Sequence, residues 1–306
     1  MFEISTRSTD WFKREFVEAV VNAGYKERIP NFLWSSQKVL TLFSDLRQEL
    51  SKWNLQTIHR GEVLVPSNGY LLLRESLPYN YTHEIIPFLW DCWPGSWSVL
   101  KETLRLLRVR LCFITSRQVL DMLQQELPNI QFVYVPEAVN PRHFQKGKDL
   151  KDRPNQLFEI GRKHSEYHAV LSKYFKNEGA LIDGWVEDYS GTLSQTQVTV
   201  CFPRCDTHPE MAGEIETLTE RYWESMFSRC LMLGRAPKEL INIIGYNPVV
   251  EVAWKNPEEQ LLKILSHIED YQPLVDKNYQ MAQKWGSWDK RIPTIVEAIE
   301  KLTFSR

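Results

Sequence analysis

The sequence predicts an α/β protein built from two wound parallel sheets in tandem. Three observations lead there. Short apolar runs alternate with helical segments over residues 84–136 and again from Leu157 onward. A polar stretch, 140–154, with two prolines, a glycine and many charges, separates the two sets and reads as a linker. The length of 306 residues suits two lobes, since domains run to roughly 150 residues each.

Composition narrows the function classes. Lys plus Arg (37) nearly balances Asp plus Glu (39), so no global field favours a polyanion, and nucleic acid is not an expected partner. The N-terminus lacks an apolar signal core, and no run approaches the roughly 18 apolar residues that a membrane span requires. Three of the cysteines sit inside apolar runs, as Cys112 does between Arg110 and Ile114. A free thiol behaves there as a small hydrophobe, which fits a reducing, cytoplasmic setting. Cys201 and Cys205 lack a second Cys/His pair at finger-like spacing, so no metal is expected.

Taken in order, residues 9–24 carry cap-type residues and then apolar positions at helical spacing, predicting a first helix. Asn68-Gly69 lies between two apolar runs within 61–73 and signals a hairpin or tight turn. Strands follow at 84–90, 110–115 and 131–136, with helices at 98–107 and 116–127 between them. The second set runs strand 157–161, helix 166–175, strand 198–202, a helix from about Thr219, strand 230–234, a helix from Pro237, strand 249–253 and a helix from Pro257. Residues 271–302 read as helix with a break at 286–293. Two Rossmann-like domains result: 1–147 and 148–280, with 281–306 a helix packing back toward the first.

The segment from Glu216 to Gly234 carries the chemistry. Thr217 and Glu220 have capping-box spacing, so a helix is predicted to start at Thr217, with Glu216 just before it and Glu224 about two turns in. Tyr222, Trp223, Met226, Phe227 and Cys230 form an apolar stripe, and Glu220, Arg221 and Glu224 lie opposite it. Free backbone N–H groups and the positive end of the dipole at that terminus suit a diphosphate, while the carboxylates suit sugar and ribose hydroxyls. The bland alternative is that these glutamates solvate a helix face.

This pattern, two glutamates flanking seven residues, then Ser-Met and a short strand ending in Gly, resembles the Glu-x7-Glu motif of retaining GT-B glycosyltransferases. The run from Phe202-Pro-Arg204 through Gly234-Arg-Ala-Pro-Lys-Glu-Leu240 is similar to bacterial polysaccharide-type members. The resemblance implies two domains facing each other across a cleft, with Glu216 at the donor sugar and Glu224 at the ribose. Gly161-Arg162, at the end of a strand, matches the family's Gly-Arg, whose arginine stabilises the departing diphosphate; a guanidinium fork suits that task. The family carries a lysine about five residues further on, where this chain reads Glu166-Tyr167-His168. Lys163 and Arg204 are therefore the candidates for the second phosphate cation. The implied donor site also takes in Thr217, Leu218, Thr219 and Arg221.

In the first lobe, Asp91 lies just past a strand, where it is expected to act on an acceptor hydroxyl, with Trp90 or Trp93 stacking on a sugar. The alternative places the tryptophans in the core. Lys101, Arg105 and Arg108 are read on one face of a helix, suiting either anionic lipid near a lipid-linked acceptor or solvent.

The expected activity is hexosyl transfer from a nucleotide-diphosphate sugar to a saccharide or similar hydroxyl, with retention, in polysaccharide or glycoconjugate synthesis. Arg162, Glu216 and Asp91 are the catalytic candidates; no cofactor or metal is expected. The expected place is the cytoplasm, at the inner membrane face where the acceptor is lipid-linked. The rivals are a nucleotide-sugar epimerase of the same fold and a non-catalytic GT-B partner subunit.

Overall fold

The computed structural model describes residues 2–5, 11–29, 37–52, 60–175 and 180–304. The chain forms two compact units: one runs to Pro136 and takes in Trp288 onward, and the other is Glu137–Ser287. Each holds its own parallel sheet.

The first sheet contains β1 (Glu3–Ser5), β2 (Lys26–Arg28), β3 (Glu62–Asn68), β4 (Glu84–Trp90), β5 (Leu111–Ile114) and β6 (Gln131–Tyr134), in the order β2-β1-β3-β4-β5-β6. β4 is buried along its whole length and β3 up to its last residue, as central strands of a parallel sheet must be. Helices Trp97–Leu106 and Arg117–Glu126 connect β4 to β5 and β5 to β6, as the periodicity predicts. β1 and β2 were not legible, because three-residue strands are too short to show a period, and the helix Gln37–Lys52 was not predicted.

Three expectations in this unit are corrected. Asn68-Gly69 does not make a hairpin: β3 runs parallel to both its neighbours, and Gly69 opens a short helical turn that continues as the helix Leu72–Glu75. Trp90 and Trp93 are 2% and 7% exposed, so neither is placed to stack on a sugar. Trp90 instead packs with Phe16, Phe88 and Trp288, at ring-centroid distances of 4.4–6.0 Å. The face of three cations also dissolves. The helix ends at Leu106, Arg108 lies past it with φ of 51°, and Lys101 is paired with Glu126 at 2.5 Å. The predicted first helix is Trp11–Asn22; Thr9 and Asp10 lie outside the described residues.

The second sheet contains β7 (Asn155–Glu159), β8 (Leu181–Asp183), β9 (Thr196–Cys201), β10 (Leu231–Gly234) and β11 (Val249–Glu251), in the order β11-β10-β9-β7-β8. Successive side chains serve opposite faces. Leu231 and Leu233 of β10 join a core with Leu157, Tyr167, Val198 and Leu261, while Met232 joins Trp223, Met226 and Leu240 on the other side. Covering both faces removes the water that would compete for the strand hydrogen bonds, and each such side chain contributes about 1.5–3 kcal/mol on burial.

Residues 140–154 are not a linker. Leu150 is fully buried, and its N–H donates to Gln272 at 2.8 Å. Arg153, 4% exposed, donates to the carbonyls of Lys148 and Thr196. The stretch lacks periodicity because it is a strap bound by specific polar contacts, and the boundary falls at Pro136 and Glu137 instead of 147. The final helical part divides likewise: Gln272–Trp285 belongs to the second unit and Ile292–Phe304 to the first.

Candidate functional site

Counted within its own unit, the second sheet has the strand order 2-1-3-4-5. In such sheets the chain reverses its direction of winding between the first and third strands, and ligands bind outside the strand C-termini at that point. Here the crevice lies between the ends of β7 and β9. That places Gly161, Arg162 and Lys163 on one rim and Phe202, Pro203 and Arg204 on the other.

Gly161 has φ of 72°, a region that other residues enter at a cost. A Cβ there would lie 2.4 Å from Nη2 of Arg221, so the missing side chain lets the guanidinium of the helix Glu220–Phe227 rest on the β7 turn. Arg162 is exposed, and Lys163 is ion-paired with Asp183 at the end of β8. Tyr167, where the resemblance calls for a lysine, is fully buried. Arg204 starts the short helix Arg204–Thr207 just past β9, with Nη2 2.6 Å from the sulfur of Met211.

The two glutamates are not solvated. Glu216 is 7% exposed and Glu224 4%. Glu216 is ion-paired with Arg235, which also holds Asp206 through two bonds of 2.6 and 2.8 Å. The hydrogen bond to Asp206 and the carboxylate charges raise the pKa of Arg235, fixing it as a cation. Glu224 accepts a hydrogen bond from the phenol of Tyr189 at 2.5 Å. Burial, reinforced by the Glu224 charge, pushes Tyr189 well above its ordinary range, so the phenol remains a donor.

The N-terminus of the helix differs from expectation. The helix begins at Glu220 with Thr219 as its N-cap, and the Thr219 side chain makes no cap hydrogen bond. Glu137 accepts at 3.1 Å from the Glu220 N–H that a capping box would give to Thr217, and Glu239 accepts from Leu218 at 3.0 Å in the same turn. Two of the donors expected to face a diphosphate are thus engaged. Thr217 and Leu218 are buried in this turn, Thr219 partly so.

A cavity of about 530 Å³ adjoins the site, lined by His164, Phe202, Asp206, Arg235, Glu251 and Trp254 among others. Sequence reading missed Arg235, Asp206 and Tyr189. Arg235 follows the glycine that ends β10, a position that the strand-end rule selects; nothing in the sequence singles out Tyr189. Asp91 lies in the first unit, after β4, half-buried with φ of 47°.

Solved structures resemble the chain over nearly its whole length. A glycosyltransferase from Rickettsia africae aligns with 99% of this chain and 90% of its own, at 12% identity and TM-score 0.55. The Anabaena protein HepE, solved with UDP, aligns over 98% and 99% at 10% identity and TM-score 0.61. An α-glucosyltransferase solved with UDP and a 13-mer DNA aligns over 98% and 99% at 11% identity and TM-score 0.59. The fold is that of the GT-B glycosyltransferases. No protein-family model matches the chain, and no curated protein is similar to it in sequence.

Proposed function

We propose that the chain is a glycosyltransferase that moves a sugar from a nucleotide-diphosphate sugar to a hydroxyl of a saccharide or similar acceptor, in polysaccharide or glycoconjugate synthesis. The observation that carries this reading is the pair of buried glutamates, Glu216 and Glu224, held by Arg235 and Tyr189 in the unit whose switch point also presents Arg162. Structures with this fold have been solved with UDP, which supports a nucleotide donor.

In this reading Glu224 accepts from the ribose hydroxyls and Glu216 from the donor sugar. Gly161 permits close approach of the ligand, and Arg221 braces that turn. Arg162, with Lys163 and Arg204, neutralises the diphosphate as its bond to the anomeric carbon breaks. Thr217, Leu218 and Thr219 form the wall of the sugar pocket. The acceptor oxygen bonds to the anomeric carbon and its proton leaves with the diphosphate. This route needs no metal, and retention follows from the Glu-x7-Glu resemblance. Asp91 is assigned to the acceptor hydroxyl, and the activity to the cytoplasm, at the inner membrane face where the acceptor is lipid-linked.

The test is thermal stabilisation by UDP, GDP, ADP, CMP and dTDP and their sugars. A ligand at a hundred times its Kd adds about 2.7 kcal/mol to stability. One nucleotide family should raise Tm for the native chain and not for Glu224→Ala, and incubation with acceptor should release nucleoside diphosphate. Asp91→Asn should keep nucleotide binding and lose transfer. A second reading, a non-catalytic partner subunit, is favoured by the engaged N–H groups of Leu218 and Glu220 and by Tyr167 in place of lysine. Absence of any shift with every nucleotide would select it.

A further inference from the structure

Glu159 and Asp183 are directly paired across β7 and β8, so both carboxylates project to the same side of the sheet. The helix Ser165–Tyr174 lays His168 against them, with Nδ1 2.5 Å from Oε2 of Glu159. One ligand atom from each of the three residues lies within 4.8 Å of the other two. Glu159 is 1% exposed, and its Oε1 has no hydrogen-bond partner. A buried carboxylate oxygen without a partner is costly, and it is the kind of atom that a cation satisfies.

We propose that Glu159, His168 and Asp183 form a binding site for a divalent first-row transition metal ion. One imidazole with two carboxylates is a nitrogen-oxygen donor set suited to zinc, cobalt or manganese, with the remaining positions left to water. Metal–ligand bonds near 2.0–2.2 Å put ligand atoms about 3.3 Å apart, so the group closes by roughly an ångström or more on binding. His168 and Asp183 are half-buried, whereas Glu159 is held in place by its burial. The other ring nitrogen of His168 meets Ser172 Oγ at 3.1 Å. Such an outer contact fixes the ring and leaves Nδ1 to the metal.

Lys163 is the competitor. Its ammonium pairs with Asp183 and holds the place of a cation at that carboxylate. The metal displaces that ammonium from Asp183. Pattern reading does not find the group, because its members come from two strands and a helix with irregular spacing.

The test uses the full chain stripped with a chelator and titrated with Co2+, followed by Zn2+ competition and calorimetry. One equivalent of Co2+ should develop visible d–d absorption that Zn2+ abolishes. His168→Gln and Asp183→Asn should each weaken binding at least tenfold, Ser172→Ala about tenfold, and Lys163→Met should strengthen it. Circular dichroism and melting of the metal-free variants separate loss of the site from loss of the fold. Absence of cobalt absorption in the folded native chain overturns the proposal. So does undiminished binding by folded His168→Gln. Thiolate-to-cobalt absorption that vanishes in Cys205→Ser would assign the metal to cysteine instead and likewise overturn it.

Discussion

Tyr189 donates its phenol hydrogen to Glu224 at 2.5 Å, and the carboxylate is 4% exposed. The pair joins the short helix after β8 to the helix that carries both Arg221 and Glu224. Tyr189→Phe removes the donor and leaves a charged oxygen buried, at about 1–3 kcal/mol. Urea denaturation should show that loss, and nucleotide titration should show weaker binding. Unchanged stability would mean that water replaces the phenol.

Arg235 ties Asp206, in the short helix after β9, to Glu216, in the segment before the helix Glu220–Phe227. Arg235→Lys keeps the charge and loses the two-pronged grip. Nucleotide-sugar affinity should fall more than nucleoside diphosphate affinity, because Glu216 is assigned to the sugar. Equal losses for both ligands would move Glu216 away from that role.

Two glycines should respond differently to alanine. At Gly161 a Cβ meets only the flexible end of Arg221, so the cost is the left-handed backbone, about 1–2 kcal/mol. At Gly234, with φ of 145°, the Cβ would lie 2.0 Å from the carbonyl oxygen of Cys201 on the adjacent strand. Neither backbone can yield without breaking the β9–β10 pairing, so Gly234→Ala should destabilise by more than about 4 kcal/mol or fail to fold. Comparing soluble yield and melting of the two variants decides this.

Burial raises the Asp276 carboxyl, but hydrogen bonds from Arg229 and Gln272 and the Arg229 charge outweigh it and hold the pKa below the usual range. A folded-state pKa below the unfolded one stabilises above the unfolded value, and that stability is lost as pH falls through the folded value. Asp276→Asn should therefore lower Tm near neutrality and converge with the native chain in acid. Asp276 is 45% exposed, so the difference should be small and should shrink in salt.

Cys92, Cys112, Cys201 and Cys230 are buried and Cys205 is intermediate, with every thiol pushed up by burial. A thiol reagent at neutral pH should modify at most Cys205, slowly, and should reach all five cysteines in denaturant. Fast reaction of a second thiol would show that a core opens.

Regular elements with continuous apolar runs were legible because burial on two faces leaves a plain mark: β4 matches the predicted 84–90, and β7, β9, β10 and β11 all overlap their predicted strands. What escaped were features set by distant partners. The Thr217–Glu220 spacing suggests a capping box, yet Glu137, from far away in the sequence, takes the Glu220 N–H. Asn68-Gly69 suggests a hairpin or a tight turn, and only the turn forms, because β3 is committed to parallel pairing on both sides. Residues 140–154 look like linker because Arg153 and Leu150 are held by groups as far away as Gln272. Glu216 and Glu224 were found through their spacing; their burial and their ties to Arg235 and Tyr189 belong to tertiary structure alone.

The route of the chain has a consequence for its synthesis. The first unit is interrupted: it leaves at Pro136 and resumes at Trp288, whose indole packs on Phe16, Phe88 and Trp90. The ends of the inserted unit are clasped, with Val139 N–H donating to Gly286 O at 2.9 Å, and Arg291 Nε reaches Pro136 O at 3.2 Å in the resumed part. On the ribosome the second unit is therefore complete before the first, reversing the usual order in which N-terminal domains mature earliest. Nascent chains halted before Trp288 emerges should expose an unfinished aromatic core.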